Sequence, residues 1–312
     1  MKRIIDFLAN LTDRLEHFWE EHVMKRFVGT FLVFTFVLVI IIVEINRNFP
    51  LPEPFGEFFG TNHFFAVEVA FVFLLLTEVI ALIFSLTRSF SRSIGIQLEI
   101  LSLILLRDAF KKFKDFGEPL QWELVSQNIG SMIADAAGAL AIFIILGIYY
   151  RQLKSRPITD DEKGVDSFIK DKKLITLVLL VAFVFIGLFD VGLLATGGQT
   201  YPFFETFYTV LIFTDVLMVL LSLRYSTVFA VTFRNFAFSI VTVFIRLALI
   251  APVPLNAAIG VGVALFALFV TIAYNRYGRE IEAQKAFDEQ LSSNTDYHAK
   301  LQQQQTSPSP GD

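Results

Sequence analysis

Four carboxylates stand inside apolar stretches of the chain: Glu68 and Glu78 in one, Glu205 and Asp215 in another. Each pair is ten residues apart, and the second pair repeats the first after 137 positions. The neighbouring letters echo too. Thr77-Glu78-Val79-Ile80 with Ser85-Leu86 returns as Thr214-Asp215-Val216-Leu217 with Ser222-Leu223. A carboxylate in hydrocarbon is costly and persists where it meets a cation, water or another polar group. An arginine follows in the next apolar stretch of each copy, at Leu105-Leu106-Arg107 and Phe244-Ile245-Arg246. Acid and guanidinium so spaced can clamp two helices, or move charge through a membrane interior.

Ten residues are about 15 Å of helix, so each copy has one acid near a helix end and one deep. The chain then reverses, which returns the late arginine to the level of the first acid. The expected ion pairs are therefore Glu68–Arg107 and Glu205–Arg246. The deep acids Glu78 and Asp215 are the candidates for titration, with Glu99 at a depth similar to Glu78. Thr242 and Ser239 are the candidate hydrogen-bond partners of Asp215. Asp135 and Asn256 open the last helix of each copy in a related polar-small pattern, and Asp135 extends the buried titratable set. Arg88, Arg92 and Arg224 form a cytoplasmic-side basic group, free to snorkel to the surface or to turn towards the deep acids. The plainer alternatives are structural: clamps for the ion pairs, solvated helix ends for Glu44 and Asp190, and close packing for Gly138, Gly147, Gly260 and Gly262.

The elements that must position these residues are membrane helices. Hydrophobic residues make up 54% of the 312 positions, above the roughly 45–50% of soluble domains. The excess falls in blocks near the ~20 residues needed to cross a bilayer. Spans are expected near 27–45, 64–87, 93–110, 127–150, 173–194, 203–223, 235–251 and 256–275. The third and seventh are short, carry polar residues and should be shielded by neighbours. The expected fold is an all-α polytopic membrane protein with eight transmembrane helices arranged as two repeated four-helix bundles.

The domain plan follows. Residues 1–26 form an amphipathic interfacial helix, 27–150 the first four-helix unit, 151–172 a charged cytoplasmic linker, 173–275 the second unit and 276–312 a polar, partly disordered tail. Lys and Arg collect in the N-terminal segment, in the linker and in the tail, which predicts an inner-membrane, multi-pass protein with both termini cytoplasmic. Arg107, Lys111, Lys112 and Lys114 break that pattern on the outer side. Pro50, Pro52 and Pro54 with Phe55, Phe58 and Phe59 suggest a bent aromatic loop at the outer interface. The net charge of −4 gives no ground for nucleic-acid binding, and the absence of cysteine excludes thiolate sites and disulfides.

The stretch from Val67-Glu68 through Glu78-Val79-Ile80-Ala81-Leu82-Ile83, then Leu105-Leu106-Arg107, resembles the phosphate-starvation-inducible PsiE-like family of small bacterial membrane proteins. Thr242-Val243-Phe244-Ile245-Arg246-Leu247 and Val253-Pro254-Leu255-Asn256 resemble it as well. The likeness covers about 67–150 and 205–275. The chain departs from the family in Asp215 for Glu, in Asn256 for Asp, and in holding two units where the family has one. The resemblance implies tandem four-helix units in an inner membrane, linked to stress or nutrient supply, and carries over no reaction.

Two function classes follow. One is ion, proton or small-solute passage or sensing through the buried acid–arginine pairs. The other is a non-transporting scaffold that recruits partners through its N-terminal helix, linker and tail. The lipid bilayer is the expected partner, with an ion or small solute, and a protein partner or second copy. No enzyme, cofactor or metal is expected: His17, His22, His63 and His298 lie outside the spans, and no phosphate cradle or nucleophile elbow occurs.

Overall fold

Runs of apolar residues this long can satisfy their backbone polar groups in lipid only by closing them within helices. The computed structural model describes residues 2–52, 55–116, 120, 122–153, 162–195, 202–225 and 228–278, and among these the chain is helical with no strand. In order the helices are α1 (Lys2–Glu20), α2 (His22–Asn48), the short α3 (Phe55–Phe59), α4 (Phe65–Ser85), α5 (Phe90–Lys111), α6 (Trp122–Gln152), α7 (Glu162–Ala195), α8 (Phe203–Tyr225), α9 (Phe229–Ile250) and α10 (Leu255–Gly278).

Seven of the described helices, α2, α4 and α6 to α10, are long and apolar enough to cross a membrane. The protein is therefore a polytopic helical membrane protein. The exception among the expected spans is α5, whose Arg92, Glu99, Arg107 and Asp108 dilute its hydropathy. Yet twelve of its 22 residues are buried, against four of 27 in apolar α2. Hydropathy here marks the helices that face lipid. The helix at the centre is packed by other helices, so its polar residues find partners in protein.

The apolar core does not divide between the two halves of the chain as two separate bundles would. One cluster joins Leu98 and Leu101 of α5 and Ile142 of α6 to Val241 of α9 and Ala264 of α10. The second joins Val79 and Ile83 of α4 to Phe183 of α7 and Phe207 of α8. Helices of both halves thus interleave, and α5 packs directly on α9. Two glycines allow close approaches between helices. A Cβ on Gly95 would meet the Tyr150 ring at 2.7 Å, and one on Gly138 would meet the Ala257 Cβ at 2.6 Å. Gly147 and Gly262 have open space instead, so the close-packing expectation holds at only part of that set.

Other expected boundaries shift. The segment expected as a linker is already helix from Glu162, so Lys170 and Lys172 ride on α7. The aromatic loop folds into α3, and Asn46 holds it. The Asn46 amide donates to the carbonyls of Gly56 and Gly60 at 2.9 and 2.8 Å, and its oxygen accepts from Leu51 N–H at 2.9 Å. The tail expected beyond residue 278 lies outside the described residues.

Candidate functional site

Two helical hairpins, α4–α5 and α8–α9, bring the repeated charges together. In the first, Arg107 Nη1 donates to Glu78 Oε2 at 2.7 Å, with side chains only 7% and 9% exposed. Arg107 Nη2 also reaches Asp108 Oδ1 at 3.4 Å. In the second, fully buried Arg246 places Nη2 3.7 Å from Asp215 Oδ2. The same Nη2 donates to Gln97 Oε1 of α5 at 3.0 Å, which ties the two hairpins into one cluster. Gln97 Nε2 in turn donates to Ser93 Oγ at 3.0 Å, and Ser93 lies 3.3 Å from Ser85 Oγ. Buried Tyr208 of α8 stands in the field of both arginines and of Glu78. Asp215 Oδ2 and the Nε and Nη1 of Arg246 are buried with no hydrogen-bond partner.

The arginines are therefore paired, but with the deep acids and not with Glu68 and Glu205. Side chains on a helix lean towards its N-terminus. In antiparallel neighbours this brings a late arginine on the second helix back towards the hairpin, while the acid on the first helix leans away from it. The two heads meet between their backbone levels, so counting residues from the turn selects the wrong acid. The same correction applies to both hairpins. Glu68 and Glu205 instead occupy the first turns of α4 and α8, where a carboxylate suits the positive end of the helix. Glu205 is exposed and Glu68 half-buried.

Glu99 is exposed, away from Glu78, and accepts from the Tyr150 hydroxyl at 2.5 Å. Arg92 stacks over that same ring at 5.2 Å. Asp135 is fully buried and accepts from Asn256 Nδ2 at 2.8 Å, so corresponding positions of α6 and α10 meet each other. Arg224 lies over the Tyr225 ring at 5.8 Å. Ser239 donates to the Asp215 backbone carbonyl at 3.5 Å, and Thr242 to the Ser239 carbonyl at 2.8 Å.

Arg88 turns towards α1. It pairs with Glu16 and Glu20, each at 2.7 Å. Burial works against its charge, but the two carboxylates outweigh burial and raise its pKa. Along the same contact Lys173 pairs with Asp13 at 2.8 Å and Lys170 with Asp6 at 3.0 Å. The acids of α1 thus meet a basic collar at the ends of α4 and α7, while Ile4, Phe7 and Phe18 stay exposed.

Two spaces border the acids. A small, partly enclosed cavity of about 20 Å³ is lined by Ser93, Gln97, Lys172, Asp215, Ser239 and Thr242, among others. An open groove of about 260 Å³ runs from Trp19 and Lys25 past Thr77 to Glu78. Gln97, Lys172 and Tyr208 were not among the sequence candidates. Gln97 had a visible signal, an amide in a short apolar stretch ahead of Arg107. Lys172 looked like one more charge of a surface linker. Among the described residues no group of three or more His, Asp or Glu side chains is placed to hold a metal ion.

These charges, sealed among apolar helices, belong to an integral membrane protein with a polar centre. Compared with known proteins, the chain matches no family model, no curated protein and no solved structure.

Proposed function

We propose that this chain is a non-enzymatic inner-membrane protein that passes or senses protons, ions or a small solute through its central acid–arginine cluster. The observation that carries the proposal is that both deep acids border unfilled space: Asp215 a small cavity and Glu78 an open groove. A charge kept solely as a clamp needs no such space, whereas a charge that exchanges protons or meets ions does. In this proposal α5 is the eighth span. Its 22 residues amount to about 33 Å of helix, enough to cross. The two halves are a tandem duplication of PsiE-like type with both termini cytoplasmic, and a role under phosphate starvation follows from that resemblance alone.

The test is reconstitution of the pure protein in liposomes, with proton and ion flux read at several voltages and pH values. Flux in the wild type and its loss in the Glu78→Gln, Asp215→Asn double variant is the expected result. Flux that survives in a folded double variant removes the cluster from the pathway. One observation favours the scaffold alternative: the apolar row Ile4, Phe7 and Phe18 on α1 is exposed while its acids are occupied. A wild type that conducts nothing, but loses membrane partners when that row is made polar, decides for the scaffold.

A further inference from the structure

We propose that the small cavity beside Asp215 is a hydrated proton-relay site, in which water links the Lys172 ammonium to the Asp215 carboxylate. The proposal rests on the cluster being functional, and it names the proton as the cargo and one pair of residues as its carriers.

Apolar cavities stay dry, whereas a water needs a space of about 10–15 Å³ for its centre and two to four polar partners. The cavity offers about 20 Å³, and its polar walls come from four helices: Ser93 and Gln97 of α5, Lys172 of α7, Asp215 of α8, and Ser239 and Thr242 of α9. Asp215 Oδ2 is a buried acceptor with no hydrogen-bond partner.

Lys172 is the less expected wall. It is 3% exposed, and lysine is almost never buried without a partner that justifies it. Its ammonium donates to the Arg88 carbonyl and lies 5.4 Å from the centre of the Phe90 ring and 5.7 Å from that of Phe168. An ammonium has three donors, so donors remain for the cavity. Asp215 also faces Arg246 and the Thr242 hydroxyl from α9, with Gln97 of α5 in the same cavity wall. Lys172 faces Glu16 from α1, and Arg88 from the α4–α5 turn; Lys173 follows it on α7.

The transfer balances. An N–H bond of Lys172 breaks and its proton joins the water oxygen. The same water releases a different proton, and an O–H bond forms at Asp215 Oδ2. Ammonium and carboxylate become amine and carboxylic acid, with no net charge moved out of the cavity. Glu16 and Arg246 stand behind the two ends and favour the return to the charged forms. Because Glu16 belongs to α1 and is bonded to Arg88, the α1 contact sits beside the donor end of the relay.

Met218 lines the same cavity and is 3% exposed, which makes it a reporter already in place. Intact protein in lipid nanodiscs is exposed to brief radiolysis in isotopically labelled water, and oxygen incorporation at Met218 is read by mass spectrometry. Labelling of Met218 above that of other equally buried side chains is expected; its absence means a dry cavity and overturns the proposal. Infrared difference spectra between about pH 5 and pH 8 then identify the Asp215 carboxylic band as the one lost in Asp215→Asn. Deuterium exchange of that band should slow by roughly tenfold or more in Lys172→Met. An unchanged exchange rate overturns the role of Lys172. Should Lys172→Met not fold, Thr242→Val, which removes one polar wall, is expected to lower Met218 labelling, and unchanged labelling counts against the hydrated site. Liposome flux is read separately. Flux with a dry cavity defeats the relay and leaves the functional proposal standing; a wet, exchanging cavity without flux does the reverse.

Discussion

In the α4–α5 hairpin Arg107 closes on Glu78 at 2.7 Å and has Asp108 as a second carboxylate, and Glu78 lines a groove open to the outside. In the α8–α9 hairpin Arg246 stops 3.7 Å from Asp215 and takes the neutral amide of Gln97, and Asp215 lines a small cavity among mostly buried residues. The first hairpin thus holds two acids for one guanidinium, and the second holds one for one. Aspartate is a methylene shorter than glutamate, and that missing reach accompanies the longer contact. The difference teaches that repeating a motif in sequence does not repeat its environment. One acid lines an open groove and the other a much smaller cavity among mostly buried residues.

The largest loss is expected in the α8–α9 hairpin. Arg246→Met leaves Asp215 buried without its cation, a loss of about 3–5 kcal/mol. Arg107→Met should cost less, because Glu78 borders the groove and can gain water. Thermal unfolding of the two variants in the same nanodiscs checks this, and equal losses would erase the distinction. Next comes Glu78→Asp, which imposes the second hairpin's geometry on the first. Losing a charge-assisted hydrogen bond should cost about 1.5–3 kcal/mol, measured by denaturant unfolding in mixed micelles. A cost near zero would mean that the 2.7 Å contact adds nothing over the 3.7 Å one.

Gln97→Leu isolates the bond that joins the hairpins. It strips Arg246 Nη2 of its acceptor and should cost about 1–3 kcal/mol. In a double-mutant cycle with Arg246→Met the two effects should be strongly non-additive, and additivity would show that the amide acts alone. The smallest effect belongs to the solvated collar. Lys173→Ala removes a partly exposed pair with Asp13 and should cost under about 1 kcal/mol, fading as salt rises. A larger, salt-independent loss would place that contact with the buried ones.

Much of the frame was legible in the chain. The helices, their approximate limits and the four central residues Glu78, Arg107, Asp215 and Arg246 are written as apolar runs broken by charges. The third expected span illustrates the limit. Its polar letters foretold shielding, and α5 is indeed the packed centre, but nothing local said that α9 of the other half would supply part of the shield. The pairing Glu68–Arg107 failed because residue counting ignores the opposed lean of side chains in antiparallel helices. Glu99 failed because depth along a helix says nothing about which face a residue occupies.

The sequence alone determined that this protein lies in a membrane as helices, since long apolar runs have no other way to satisfy their backbone in lipid. It also determined that a few charges must be hidden from that lipid. Only the tertiary structure decided which charges meet. Gln97 and Arg246 are 149 positions apart, and their bond depends on how α5 and α9 pack. Lys172 became a cavity wall for the same reason: burial is a property of the neighbours, and no residue carries its neighbours in its own name.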